Sequence, residues 1–124
     1  MQHHEEEEQL SRLTEHAANP TEEHNENVHQ ERHEFARRGA HSSELELGDY
    51  VIVGAFRSEA NAKHMTDELK KLGFSEADYG YLTDKAVWYI HFEPTDDIEE
   101  AKAKRNKYRK MKMFKDAWLL TVHQ

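Results

Sequence analysis

The residues of this 124-residue chain that could do chemistry are ten histidines, 25 carboxylates and a set of aromatics at strand spacing; there is no cysteine. The lack of thiols rules out cysteine nucleophiles, thiolate metal sites and disulfides, and leaves the redox compartment open. One spacing has metal-ligand character. His29-Gln-Glu-Arg-His33 would place two imidazoles on one face of a helix at i and i+4, with Glu34 beside them. It is not the HExxH pattern, because Glu31 follows the first His by two positions and points elsewhere. With no packed scaffold around it, ion binding there would be weak and adventitious, so no metal site and no cofactor is expected. Asp78, Asp84, Asp96 and Asp97 fall at turns and at a helix start, where capping explains them. His64 and His91 fall on separate elements with no Ser or Cys nucleophile arranged beside them. The sequence is therefore not that of an enzyme. The aromatics are more coherent: Tyr50 and Ile52, Tyr79 and Tyr81, and Tyr89 and His91 occupy alternate positions in three strand-like stretches. Alternate residues share one face of a strand. Such a surface is flat and amphipathic, able to stack on planar or pyranose rings and to hydrogen-bond at its edges. Aromatics on strands also serve simply as cross-strand packing.

The elements that must position these side chains form a repeated unit over residues 49–124. A strand is predicted at 50–56, apolar on both faces, then a helix at 59–72 with Ser58 and Glu59 in its first turn. Ala62, Met65, Leu69 and Leu72 recur at helical spacing, and Gly73-Phe74 has the form of a Schellman stop with its hydrophobic contact. Strands at 77–82 and 86–92 flank the turn Thr83-Asp84-Lys85. Pro94 ends the second of these, and Thr95 is the expected N-cap of a second helix. That helix carries Asp96, Asp97, Glu99 and Glu100 at its positive end and an inward stripe of Ile98, Ala101, Tyr108 and Met111, interrupted by Arg105. A last strand is predicted at 117–123. The order β-α-β-β-α-β predicts an α+β, ferredoxin-like fold: a four-stranded antiparallel sheet with both helices on one face. The other face is then open. If Trp88, Ile90 and Phe92 point toward the helices, Tyr50, Ile52, Val87, Tyr89 and His91 line it; the sequence does not fix which face Tyr79 and Tyr81 take.

Charge divides the chain in two. The formal net charge of −8 resides in residues 1–48, which hold 12 Glu, no Asp, 4 Arg and no Lys, while residues 49–124 hold 13 acidic and 13 basic side chains. The large apolar residues of the front part, Leu10, Leu13, Val28, Phe35, Leu45 and Leu47, are too scattered to offset the entropy of ordering. Residues 1–48 are therefore expected to be a disordered acidic tail or linker and 49–124 the one domain; the run Glu5 to Glu8 is self-repelling and extends the tail. The first 30 residues lack the apolar core of a signal peptide and no run approaches a membrane span, so no direct membrane insertion is expected; a start on a His- and Glu-rich run suits a fragment of a longer protein. Between Lys102 and Lys115 stand eight basic and no acidic residues. These complement the negative end of the helix dipole and also form a patch that could meet an acidic partner. Nucleic acid is not the expected partner, because residues 86–92 lack the aromatic signature of RNA-binding sheets.

The stretch Asp49-Tyr-Val-Ile-Val-Gly-Ala-Phe56, followed by Ser58-Glu-Ala-Asn-Ala62 and a helix ending Leu72-Gly73-Phe74, resembles the front repeat of the SPOR domain, a small module of bacterial envelope proteins. Trp88-Tyr-Ile-His-Phe-Glu-Pro94 is similar to its second repeat, and Phe114-Lys-Asp-Ala-Trp118 to the final loop and strand of some members. Ile52 stands where the first strand often has Gln, Tyr89 where the third often has Arg, and Glu93 where Gly precedes the proline. The resemblance implies a ferredoxin-like fold without enzyme activity, in the periplasm or cell envelope. It implies a sheet face that binds peptidoglycan, preferably glycan strands stripped of stem peptides at division septa. The site would comprise Tyr50, Ile52, Tyr79, Tyr81, Tyr89 and His91. The alternative expectation is a protein-interaction domain of an envelope assembly with the same fold.

Overall fold

The computed structural model describes residues 32–124. Its elements are β1 (His33–Arg37), β2 (Gly48–Phe56), α1 (Glu59–Lys71), β3 (Asp78–Leu82), β4 (Val87–His91), α2 (Ile98–Arg109), a 3-10 turn (Lys112–Phe114) and β5 (Trp118–His123). From β2 onward this is the predicted order. The sheet, however, has five strands in the order β1-β5-β2-β4-β3, with β1 parallel to β5 and the other pairs antiparallel. The four-stranded antiparallel expectation is thus corrected by a strand from within the stretch expected to be a disordered tail. The free edge of β5 offers a row of unpaired backbone groups, and five residues suffice to take it because Ala36 is buried against the core. Expected disorder does not hold for residues 33–47. His29 and the Glu5 to Glu8 run lie outside the described residues.

Local signals explain the element boundaries. The Ser58 side chain accepts from the Asn61 amide at 3.3 Å and starts α1. At the other end the Gly73 amide donates to Lys70 O and the Phe74 amide to Leu69 O, both at 3.0 Å, with Gly73 at φ +103°: the expected Schellman stop. On α2 the cap is Asp97, whose Oδ1 accepts from the Glu99 amide at 2.9 Å, and not Thr95, whose backbone pairs with Asp49 in both directions. The helix ends at Arg109, so Met111 leaves the expected inward stripe and is 39% exposed. Phe114 fills that place, edge-on to Phe92, which also stacks on Tyr108 at 4.1 Å.

Both helices cover one face of the sheet, as expected. Val51, Val53, Trp88, Ile90 and Phe92 meet Ala62, Met65 and Leu69 of α1 and Ala101 and Tyr108 of α2 there. Gly54 lies under α1, where a Cβ would come within 3.0 Å of the Met65 sulfur.

The other face is not open. β2 pairs with β5 over Gly48 to Ile52 and with β4 over Ile52 to Phe56, with an irregularity in register between Ile52 and Gly54. A bulge bends the strand and steepens its twist. The sheet curls about this face, and the end of β1 reaches the turn between β3 and β4: the Arg37 amide donates to Asp84 Oδ2 at 3.2 Å. Residues 38–47 then run back along the outside of β3, where the Leu45 amide donates to Tyr81 O and the Tyr81 amide to Ser43 O, each at 2.9 Å. Ala36, Leu45, Tyr50, Ile52, Ala55, Leu82, Tyr89, Trp118, Leu120 and Val122 make a second core inside the curl. Leu45 reaches it across Gly80, where a Cβ would meet its Cδ2 at 2.5 Å.

Two outcomes are expected from chemical denaturation. Leu45→Ala empties part of the second core and should lower unfolding free energy by about 2–4 kcal/mol, a loss that no tail residue would cause. Ala86 closes the β3–β4 turn at φ +56°, a conformation that favours glycine, so Ala86→Gly should stabilise by up to about 1 kcal/mol.

Candidate functional site

The six aromatic and apolar residues expected to form one surface separate into two groups. Tyr50, Ile52, Tyr89 and His91 do share the face away from the helices, but they are 2%, 0%, 4% and 7% exposed. The curl of the sheet and residues 32–47 cover them. Tyr50 donates its hydroxyl to Glu46 O at 2.7 Å and lies edge-on to the His91 ring at 4.8 Å. Tyr89 lies edge-on to Trp118 at 5.6 Å, and the Arg32 guanidinium caps Trp118 at 3.7 Å from its ring while pairing with Glu34 at 2.8 Å. Burial pushes the Tyr50 and Tyr89 hydroxyls up to about 12. The expected open face is therefore the inside of a packed core, and no ligand reaches these four residues while residues 32–47 stay in place.

Tyr79 and Tyr81 point to the other side. They alternate with Gly80 along β3, and with Trp88 they border the outer edge of the helix-side core. Both are half-buried, and His41, which is exposed, joins them. The Trp88 ring is the hub, with Tyr81, His41 and Tyr79 at 5.0, 5.5 and 5.8 Å, and His41 lies 4.5 Å from Tyr81. Polar groups sit at the rim. The Tyr79 hydroxyl donates to Glu59 Oε2 at 3.3 Å, and His41 Nδ1 accepts from the Ser43 amide at 2.9 Å, which turns its Nε2 away from that contact. Of the expected site residues, these two tyrosines are the ones a ligand could touch.

His41 is held there by Glu44, which the sequence did not single out. Its carboxylate is 7% exposed and accepts four hydrogen bonds: Oε2 from the amides of Gly39 and Thr83 at 2.7 and 2.9 Å, Oε1 from the His41 amide at 3.2 Å and the Thr83 hydroxyl at 2.6 Å. Burial by itself raises the pKa of such a group, but the bonds from Thr83, Gly39 and His41 outweigh it and hold the carboxyl below its ordinary value. Nothing in the sequence separates Glu44 from the other glutamates of the front part; only the fold gives it four donors.

The remaining candidates do not converge. His33 lies on β1, not on a helix, with Nε2 2.7 Å from the Thr121 hydroxyl, which itself donates to Asp49 at 2.6 Å. No group of three His or carboxylate side chains able to hold a metal occurs among the described residues. Asp97 caps the start of α2, as its place at a helix start implied, whereas Asp84 accepts from the distant Arg37 amide on β1 and caps no element among the described residues. In the basic run, Arg109 donates to Ala117 O at 2.7 Å, Lys104 to Glu93 O at 3.1 Å, and Lys102 pairs with Glu99, while Lys107, Lys110, Lys112 and Lys115 are exposed. Among the described residues no helix is long and apolar enough to cross a membrane.

Against known proteins, the sequence pattern of the SPOR domain matches residues 48–121. No curated protein and no solved structure matches the chain.

Two buried groups make stability fall on acidification. Glu44, held low, contributes stability that is present above the ordinary carboxylate range and is lost as pH falls through its depressed value. His91 is buried and held low by desolvation, with Nδ1 2.7 Å from Phe92 O; its neutral form is folded, so stability falls as pH drops below the ordinary imidazole value of about 6.5. Thermal unfolding between pH 7.5 and 5 should show a decline that His91→Gln flattens. At pH 7 Glu44→Gln should cost about 1–3 kcal/mol, because two of the four donors then face an amide that cannot accept on both sides.

Proposed function

Because the chain belongs to the SPOR family, whose members are peptidoglycan-binding modules of the cell envelope, we propose that it is a non-catalytic module that grips glycan strands stripped of stem peptides and so localises an envelope protein at the cell wall, in particular at the division septum. The observation that carries this reading is the family match, which spans β2 to β5 and so takes in both repeats of the fold.

A second reading is favoured by one specific observation. The sheet face expected to meet the glycan is filled by the chain itself, while Lys107, Lys110 and Lys112 surround the exposed Met111 at the end of α2. Mixed apolar and cationic surfaces of this kind suit an acidic protein partner, which would make the domain an interaction module of an envelope assembly.

The experiment that separates them is co-sedimentation of the full chain with purified peptidoglycan sacculi, before and after amidase removal of stem peptides. Residues 32–47 must be retained, because they complete the second core. Retention that rises after amidase treatment is the expected result. Absence of retention on both samples removes the glycan reading and leaves the protein-partner reading, for which charge reversal at Lys107 and Lys110 should abolish capture of the partner.

A further inference from the structure

With the face away from the helices filled, we infer that glycan is bound at the β3 edge of the helix-side face, by an aromatic strip of His41, Tyr79 and Tyr81 floored by Trp88. This inference rests on the glycan reading above and names the site and the part of the polymer it takes: the pyranose rings of the strand, not its peptides.

Three observations carry it. Tyr79, Tyr81 and His41 are aromatic rings with accessible surface that cluster about one centre, all within 5.8 Å of Trp88, which is 8% exposed and closes the floor. Pyranose rings present flat C–H faces that pack on the negative face of an aromatic ring, with hydroxyls projecting at the margin. The margin here has what hydroxyls need: the Tyr79 hydroxyl, bonded to the Glu59 carboxylate, and the Nε2 of His41, whose Nδ1 is taken by the Ser43 amide. Second, β3 is an edge strand whose outer backbone is taken by residues 43–45 at Tyr81, so the rings themselves and not the strand edge meet a ligand. Third, the floor and walls come from two sources. Tyr79, Tyr81 and Trp88 lie within the family match and His41 lies before it. Glu44 fixes the turn that carries His41, through the His41 amide and Thr83. The preceding segment therefore closes one surface and supplies a ring to another.

An exposed ring elsewhere, Phe35 at 60%, stacks on His33 at 4.4 Å on β1. It lies on the opposite edge strand from β3 and serves as the internal control.

The test is co-sedimentation of the full chain with amidase-treated sacculi, using wild type, His41→Ala, Tyr81→Leu, the double variant Tyr79→Leu with Tyr81→Leu, and Phe35→Ala. Circular dichroism and thermal unfolding establish that each is folded; His41 is an exposed ring that belongs to neither core. The expected result is a loss of apparent affinity of about tenfold for His41→Ala and for Tyr81→Leu, which corresponds to about 1.4 kcal/mol, a further loss in the double variant, and no change for Phe35→Ala. Wild-type retention with undiminished binding by folded His41→Ala and Tyr81→Leu overturns the strip while the glycan reading stands. Failure of wild type to bind overturns both.

Discussion

One strand, β2, serves two partners in succession, and the shape of the domain follows from that. Its first half is hydrogen-bonded to β5 and its second half to β4, with an irregular register between Ile52 and Gly54. A strand that kept one flat register would leave a plane with one face for helices and one for solvent. The bulged strand bends instead, and the sheet folds over Tyr50 and Ile52 until the end of β1 meets the β3–β4 turn at Asp84. Large apolar side chains that would otherwise lie against water are then buried on both sides of the sheet, each contributing about 1.5–3 kcal/mol. Two cores on one sheet give a domain of this size more buried surface than a simple helix-on-sheet layer would.

Much of this was legible. The helix bounds of α1 followed from Ser58, the apolar spacing and Gly73, because caps and period are local physics. The alternation on β4 correctly sent Trp88 and Ile90 to the helices and Tyr89 and His91 away from them. What escaped was non-local. Nothing in His-Glu-Phe-Ala-Arg marks β1: its ordering depends on an edge supplied more than eighty positions later. Leu45 looked isolated in a glutamate-rich stretch, yet it sits with Ala36 in a core whose other members are all further along the chain. The second helix was overextended to Met111 because a basic, weakly amphipathic sequence gives no stop signal like Gly73. The aromatic surface was misplaced for the same kind of reason: the faces were derived on an open sheet, and whether a face is open depends on what the rest of the chain does.

The boundary of the SPOR match at residue 48 does not coincide with the boundary of the packed structure. Residues 32–47 bind as a strap around the domain, with Arg32 capping Trp118, Leu45 inside the second core and Glu44 tied into the β3–β4 turn. Glu44 is a buried anion neutralised by dipoles rather than by a cation, an arrangement that works only while all four donors converge. The strap is thereby fastened at one anionic, one cation–π and one apolar point.

The parallel pairing of β1 with β5 also sets how the domain meets mechanical tension. In a parallel pair the beginning of one strand and the end of the other lie at opposite ends of the ladder. A pull between the chain before Arg32 and the chain after His123 therefore acts lengthwise along five paired positions. The hydrogen bonds are strained together in shear instead of opening one by one like a zip. A module tethered through its front segment while its body is held fast would transmit that tension across β1 as a unit.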